Sequence, residues 1–311
     1  MSGEPGRGTP LAVEASAVVV SHNAREMLRA CLLSLQGAPP RRTLEVIVVD
    51  NGSRDGSPEM VREGFPRVQI VENARNLGYA PACNQGMRRA RGRHVLLLNP
   101  DVQLAPGAVD TLADFLEAHP DAGAAGGLLS EGDGSVQRNH VKALPSLRSA
   151  LFGYRSVLSR WFPDNRFTRA ELQHWRARSG EPFEASFVST ACLMVAREVL
   201  DVIGEMDDTF FQWVDADLCK RILDAGRRVY CLPGATGVHH QHRGGSMVSW
   251  RRRFATLADF HLGAYRYDRK HARRPAPARL LVALGLFSRF VLSAGLQTGR
   301  ELAGAFRSPH P

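Results

Sequence analysis

At 311 residues the chain can bury a sizeable core, and its length fits one large α/β domain with an appendage better than two equal domains. A hydrophobic content of 44% with 23% charged residues excludes wholesale disorder. Lys and Arg number 40 against 31 Asp and Glu, giving +9, and since the lysines are Lys142, Lys220 and Lys270 alone the excess is arginine. Three readings follow: nucleic acid, anionic lipid headgroups, or solvated faces of an Arg-rich protein. The third accounts for most of the charge. What it leaves is clustering near the C-terminus, in Arg251-Arg252-Arg253 and Arg269-Lys270-His271-Ala272-Arg273-Arg274. No nucleic-acid-binding motif with interleaved aromatics accompanies these clusters, so no nucleic-acid partner is expected.

The cysteines Cys31, Cys83, Cys192, Cys219 and Cys231 are scattered, odd in number and never spaced CxxC, which speaks against a zinc ribbon or disulfide framework and for a reducing cytoplasm. Residues 1–15 are Gly/Pro-rich without the basic-then-apolar order of a signal peptide, and read as a flexible tail.

Ala17–Val20 and Leu44–Val49 are short β-branched runs bounded by polar residues, as expected of strands buried on both faces of a parallel sheet. Between them Met27, Leu28, Cys31, Leu32 and Leu35 recur at helical spacing, and Gly37-Ala38-Pro39-Pro40 stops that helix. Val68–Val71, a helix from about Ala80 to Arg91 and the strand His94–Leu98 continue the alternation. The pattern predicts an open, mainly parallel sheet with helices on both faces and a ligand site beyond the carboxyl ends of its strands. From Leu129 to Glu184 the alternation breaks into an Arg-, Trp- and Phe-rich insertion. Sheet-like and helical signals return from Phe187 to Leu232, and the chain after Ser246 reads as helical and basic.

GxGxxG is absent after the first strand and a Walker A motif is absent throughout, which weakens NAD enzymes and P-loop ATPases together. The polar residues that follow the strands are Ser21-His22-Asn23, Asp50-Asn51-Gly52-Ser53 and Asn99-Pro100-Asp101. Asp50 at a strand end can accept hydrogen bonds from a base or ribose edge, and the Asn-Gly-Ser turn admits close approach of a ligand. Asn76-Leu77-Gly78-Tyr79-Ala80 with Asn84 and Gly86 comes next, and Phe210-Phe211-Gln212-Trp213-Val214-Asp215-Ala216-Asp217-Leu218 later. In that order, from about Val18 to Ser246, these residues resemble the family 2 glycosyltransferases of GT-A fold, and in particular their bacterial rhamnosyltransferase-like branch.

The resemblance implies an inverting transfer from a nucleoside diphosphate sugar to a hydroxyl of a glycan or polyprenyl-linked acceptor. It makes Asp50 the nucleoside contact, Asp101 the last residue of the metal-binding DxD element and Asp215 the catalytic base. Ser21, Asn23, Asn51, Ser53, Asn76, Gly78, Asn84, Asn99 and Arg243 fall on the donor side. His240, with His239 beside it, corresponds to the family's His element and joins Asp101 around a divalent ion, Mg2+ or Mn2+. Asn99 stands where the family has the first Asp of DxD, and Val214 where it usually has Glu. Asp215 and Asp217, two apart, do not share a helix face; Asp217 is expected to cap the helix, and Trp213 flanks the pair. dTDP-rhamnose is the donor this branch implies, with UDP-hexose, UDP-N-acetylhexosamine and UDP-galactofuranose open beside it. A non-catalytic nucleotide-sugar or glycan binding module on the same fold is the rival reading.

The expected organisation is a tail over 1–15, a GT-A domain over 16–246 and a helical extension over 247–311. Leu280–Leu296 is apolar but interrupted by Arg289, Gly285 and Gly295, so it is expected to fall short of a spanning segment. It reads either as a peripheral anchor at the inner face of the cell membrane or as a docking helix that would make an oligomer.

Overall fold

The computed structural model describes residues 13–37, 39–146, 165–240 and 250–305, with isolated positions between 147 and 164. Its strands are β1 (Ala15–Ser21), β2 (Leu44–Asp50), β3 (Gln69–Glu72), β4 (His94–Leu98), β5 (Val102–Leu104), β6 (Ala122–Ser130), β7 (Val141–Lys142), β8 (Phe183–Ala185), β9 (Phe187–Val188), β10 (Cys192–Ala196) and β11 (Arg228–His239). Helices α1 (Arg25–Gly37), α2 (Ser57–Gly64), α3 (Tyr79–Arg89) and α4 (Ala108–Ala118) alternate with the first of these.

The main sheet runs β3-β2-β1-β4-β10-β6-β11-β5, with β8 on β11. β1 is parallel to β2 and β4, and β2 to β3. β10 is antiparallel to β4 and β6 and so reverses the sheet, after which β11 runs parallel to β6. β1 and β4 are buried along their whole length, because helices cover both faces. Side chains alternate across β1: Ala17 and Val19 join Leu28, Cys31 and Leu32 of α1 in one core, while Val18 and Val20 join Ala82, Cys83 and Met87 of α3 in the other. All five cysteines are free and buried in these layers.

The tract expected as an insertion is partly sheet. β6 runs through its start, β7 pairs with β9, and a short helix Arg166–Glu171 and a 3-10 turn His174–Ser179 lie between. Cβ branching and alternation are too sparse there to mark two-residue strands.

Beyond the core two helices, Trp250–His271 and Ala276–Ala305, form a hairpin whose break precedes Pro275 and its successors. The first is fastened to the core. Trp213 Nε1 donates to the Phe260 carbonyl at 2.9 Å, and Arg266 Nη1 to the Thr209 carbonyl at 2.8 Å. Gly263 is required at this crossing, since a Cβ there would stand 2.4 Å from Cδ1 of Trp213. The second helix holds a 20-residue stretch, Ala276–Gly295, of mean hydropathy 1.5, long and apolar enough to cross a membrane. By length and composition alone the stretch passes despite Arg289, Gly285 and Gly295. Arg289 turns inward, its guanidinium 5.8 Å from the Phe260 ring centroid, while Leu280, Leu281, Leu284, Phe287 and Val291 are exposed on the other side.

Candidate functional site

Ser21 and Asp50 end β1 and β2 and face each other in the register. Both are buried, and among the described residues Oγ of Ser21 and Oδ1 of Asp50 have no hydrogen-bond partner. A buried polar atom left unpaired costs about 1–3 kcal/mol, so two of them at the carboxyl ends of adjacent strands offer a place where a ligand or water can complete the bonding. Oδ2 of Asp50 accepts from the Ser53 amide at 2.9 Å, which folds the turn around the carboxylate. Ser53 Oγ accepts from the Asn23 amide, and Asn23 Oδ1 from the Arg54 amide, stitching the two strand-end loops together. Asn23 takes a positive φ of 50° to do so, a conformation Asn tolerates better than most residues. Gly52 is needed where the turn meets the next loop: a Cβ on it would lie 2.7 Å from the Arg75 carbonyl carbon.

The asparagines that follow are largely committed to the protein itself. Asn51 donates to Asn76 Oδ1 at 2.9 Å and to the Gly78 carbonyl at 3.0 Å, and accepts from the Leu77 amide at 3.0 Å. Asn84 gives both ends of its amide to the backbone of Met206, at 2.9 Å each. Asn51 and Asn76 therefore hold the shape of the loop leading into α3, and Asn84 ties α3 to the segment that leads towards Asp215.

Asn99 and Asp101 follow β4. The Asn99 amide donates to the Ala191 carbonyl at 3.0 Å, leaving its side chain outside that bond. Oδ1 of Asp101 lies 3.1 Å from Nε2 of His239, at the end of β11, and the backbone amide of His240 donates to the Asp101 carbonyl at 2.9 Å. Thus His239, rather than His240, presents its imidazole to Asp101. The other ring nitrogen, Nδ1, is 3.0 Å from Oε1 of buried Gln137. In the tautomer in which Nδ1 donates to that oxygen, a nitrogen lone pair and a carboxylate oxygen converge, and such a pair is completed by a shared cation or proton. A nitrogen and a carboxylate oxygen 3.1 Å apart could both reach one divalent ion. Among the described residues no cluster of three or more His, Cys, Asp or Glu side chains is suited to a metal, so an ion held by Asp101 and His239 would take its other ligands from substrate and water. Arg243 lies outside the described residues.

Asp215, in the first turn of helix Val214–Asp224, is half-buried and held by three donors: Ser189 Oγ at 3.0 Å, the Thr190 amide at 3.3 Å and Thr190 Oγ1 at 2.7 Å. Tyr79 in turn donates to Thr190 Oγ1 at 3.0 Å, and burial holds its phenol well above the usual tyrosine range, so it stays a donor. A carboxylate offers roughly four lone-pair sites, which leaves one for an incoming hydroxyl. Ser189 and Thr190 were not anticipated, although they sit at the end of an apolar run, the position that singled out Asp50 and Asn99.

Asp217 does not cap the helix. Fully buried, it pairs with Arg221 Nε at 2.8 Å, Lys270 Nζ at 2.7 Å and His271 Nε2 at 2.8 Å. Trp213 likewise serves the junction with the C-terminal helices, packed against Phe260 and Tyr267 with centroids 5.3 and 5.5 Å away.

The profile of the family described as Glycosyl transferase family 2 matches residues 16–204. A Mycobacterium tuberculosis (strain H37Rv) protein named N-acetylglucosaminyl-diphospho-decaprenol L-rhamnosyltransferase is 31% identical over 300 residues, 91% of this chain and 94% of its own. Among solved structures, the mannosyltransferase PcManGT of Pyrobaculum calidifontis in complex with GDP-Man and Mn2+ is similar with a TM-score of 0.56 at 19% identity, covering 95% of this chain and 81% of that one. Residues 1–349 of S. aureus TarS in complex with UDP-GlcNAc give a TM-score of 0.53 at 15% identity, over 89% of this chain and 72% of that one. These likenesses identify the fold as GT-A, with the C-terminal helices as an extension to it.

Proposed function

The chain belongs to glycosyl transferase family 2 and is a glycosyltransferase, and on that premise we propose that it transfers a sugar with inversion from a nucleoside diphosphate to a hydroxyl of a lipid-linked glycan. Rhamnose from dTDP-rhamnose, passed to N-acetylglucosamine on a polyprenyl diphosphate, is the specific reaction favoured by the name of the M. tuberculosis relative.

Ser21 and Asp50 take the nucleoside, satisfying their two unpaired oxygens. Asn23 and Ser53 shape that pocket from above, and Asn51, Asn76, Gly78 and Asn84 support it from behind. Asp101 and His239 would hold a divalent ion, with Asn99 beside them and His240 and Arg243 following in sequence. A bound Mg2+ or Mn2+ supplies Lewis acidity to the leaving diphosphate. Asp215 accepts the acceptor's hydroxyl proton; the freed oxygen bonds to the anomeric carbon on the face opposite the diphosphate, whose C–O bond breaks with its electron pair.

The observation that carries this reading is how Asp215 is tied to the metal-site loop. Its carboxylate rests on Ser189 and Thr190, and the next residue, Ala191, receives the Asn99 amide. Base and metal-site loop are thereby fixed to one short stretch of backbone, which preorganises them for a single reaction. The exposed apolar side of helix Ala276–Ala305 lies in the membrane interface and brings the site to its lipid-linked acceptor.

The test is a panel of nucleoside diphosphate sugars with Mg2+ or Mn2+ and a short-chain prenyl-diphospho-N-acetylglucosamine acceptor, with products separated by mass. Transfer from dTDP-rhamnose with an inverted anomeric centre is expected. Failure of every donor to be transferred or hydrolysed under either metal would remove the proposal.

A further inference from the structure

We propose that a cavity of about 430 Å³ walled by Arg138, Arg169, Arg178, Thr168, His174 and Trp175 binds the diphosphate of the lipid-linked acceptor. The inference rests on the acceptor reading above. It concerns a pocket that shares none of its residues with the nucleoside and metal-ion sites.

Arg169 and Arg178 line one cavity, and like charges around a shared space favour an anion between them. Among the described residues, no carboxylate pairs with Arg169 or Arg178. Guanidinium forks match phosphate oxygens two at a time, and a space of this size admits a diphosphate with an attached sugar. His174 completes the wall: burial, with Arg138 and Arg178 as its charged neighbours, holds its imidazole below the usual histidine range. Trp175, half-exposed at the rim, offers an apolar surface to the first carbons of the lipid.

The frame of the cavity is continuous with that of the active site. Arg138 follows Gln137, which contacts His239. The short helix and the 3-10 turn hang on β7, through Ala143 N to the Glu171 carbonyl at 2.8 Å and Gln173 N to the Val141 carbonyl at 3.1 Å. β7 pairs with β9, which ends one residue before Ser189, a partner of Asp215. The donor's diphosphate would find its counter-charge at an ion held by Asp101 and His239, which leaves the acceptor's diphosphate as the group for the arginines.

The decisive variant is Arg169→Gln with Arg178→Gln; both side chains are on the surface, so folding is preserved and a melting curve verifies it. Two acceptors are compared: citronellyl-diphospho-N-acetylglucosamine and octyl N-acetylglucosaminide, which carries no phosphate. Loss of charge-assisted hydrogen bonds worth about 1.5–3 kcal/mol corresponds to roughly 10- to 100-fold. The ratio of acceptor KM values, diphosphate over neutral, is therefore expected to rise at least about 10-fold, with donor KM steady. An unchanged ratio, or a rise in donor KM instead, overturns the site while leaving glycosyl transfer intact. Calorimetric titration with inorganic pyrophosphate in excess EDTA decides the matter even if neither acceptor is used. Binding by the natural chain that the variant loses supports the site; equal binding by both, or binding by neither, overturns it.

Discussion

Nε2 of His271 lies 2.8 Å from Oδ1 of Asp217, a carboxylate with no exposed surface. Lys270 reaches the same oxygen and Arg221 the other, so one buried acid on the helix that begins with the proposed base fastens the end of helix Trp250–His271 to the core. Removing one partner of a buried ionic group costs about 3–5 kcal/mol, whereas losing a helix cap costs about 1 kcal/mol. Asp217→Ala is therefore expected to destabilise the protein by the larger amount in urea unfolding, and to expose the C-terminal helices to limited proteolysis. A loss of only about 1 kcal/mol with unchanged proteolysis would return Asp217 to a capping role.

The histidine pair separates in the same manner. His239→Ala should weaken Mn2+ binding, followed by titration calorimetry with the nucleoside diphosphate present, by at least about 10-fold, and Asp101→Ala should do more; support of a ligand alone is worth about that factor. His240→Ala should change binding by less than about 3-fold, because its link to Asp101 is a backbone amide, which any residue supplies. The reverse ranking, with His240→Ala the more damaging, would move the ion to the other imidazole.

The choice between those histidines was legible in the alternation of β11, where Ala235, Gly237 and His239 are buried in turn, and a period-two count points His239 inward. β1, β2 and β4 were legible for a related reason: their runs of Val, Ile and Leu suit only a strand covered on both faces. The partners of Asp217 and Trp213 were not. Apart from Arg221, one helical turn on, the distant ones His271 and Phe260 lie 54 and 47 residues further on, and the local pattern of an acid in a first helical turn speaks for a cap whatever the tertiary fold does with it. Gln137 carried no signal at all, since a glutamine in an irregular tract becomes a support for His239 only once β6 and β11 are paired.

Helix Ala276–Ala305 presents Leu280, Leu284, Phe287 and Val291 along one stripe, all exposed, with Val282 buried and Phe290 packed on Phe254 behind them. Replacing Leu284 and Phe287 by Glu should leave the melting curve in place and abolish most sedimentation with phosphatidylglycerol vesicles, since each large apolar side chain contributes about 1.5–3 kcal/mol when buried. Undiminished sedimentation would assign the stripe to another occupant, and a concentration-dependent change in mass by light scattering would identify it as a second copy of the chain.

Asp215→Asn gives the sharpest separation of roles, because it keeps the shape of the side chain while removing its capacity to take a proton. Thr190 Oγ1, at 2.7 Å from Oδ1, and Ser189 Oγ, at 3.0 Å from Oδ2, both find an acceptor in the amide oxygen or reorient, so the turn before β10 is conserved and donor binding with it. A general base contributes about 10²- to 10⁴-fold in rate. Turnover at saturating donor should therefore fall by at least about 100-fold while the donor dissociation constant stays within about 3-fold, since the carboxylate acts on the acceptor's proton in the transition state and not on the nucleotide. Thr190→Val tests the same carboxylate from the other side. It removes one of the three donors that orient Asp215, leaves the base itself, and should lower turnover by about 10-fold with donor KM unchanged, a split that a general structural defect would not produce. Near-normal turnover in folded Asp215→Asn would exclude this carboxylate as the base. Asp217, fully buried against Arg221, Lys270 and His271, is in no position to replace it, so the proton would then have to leave through a group supplied by the acceptor or the diphosphate.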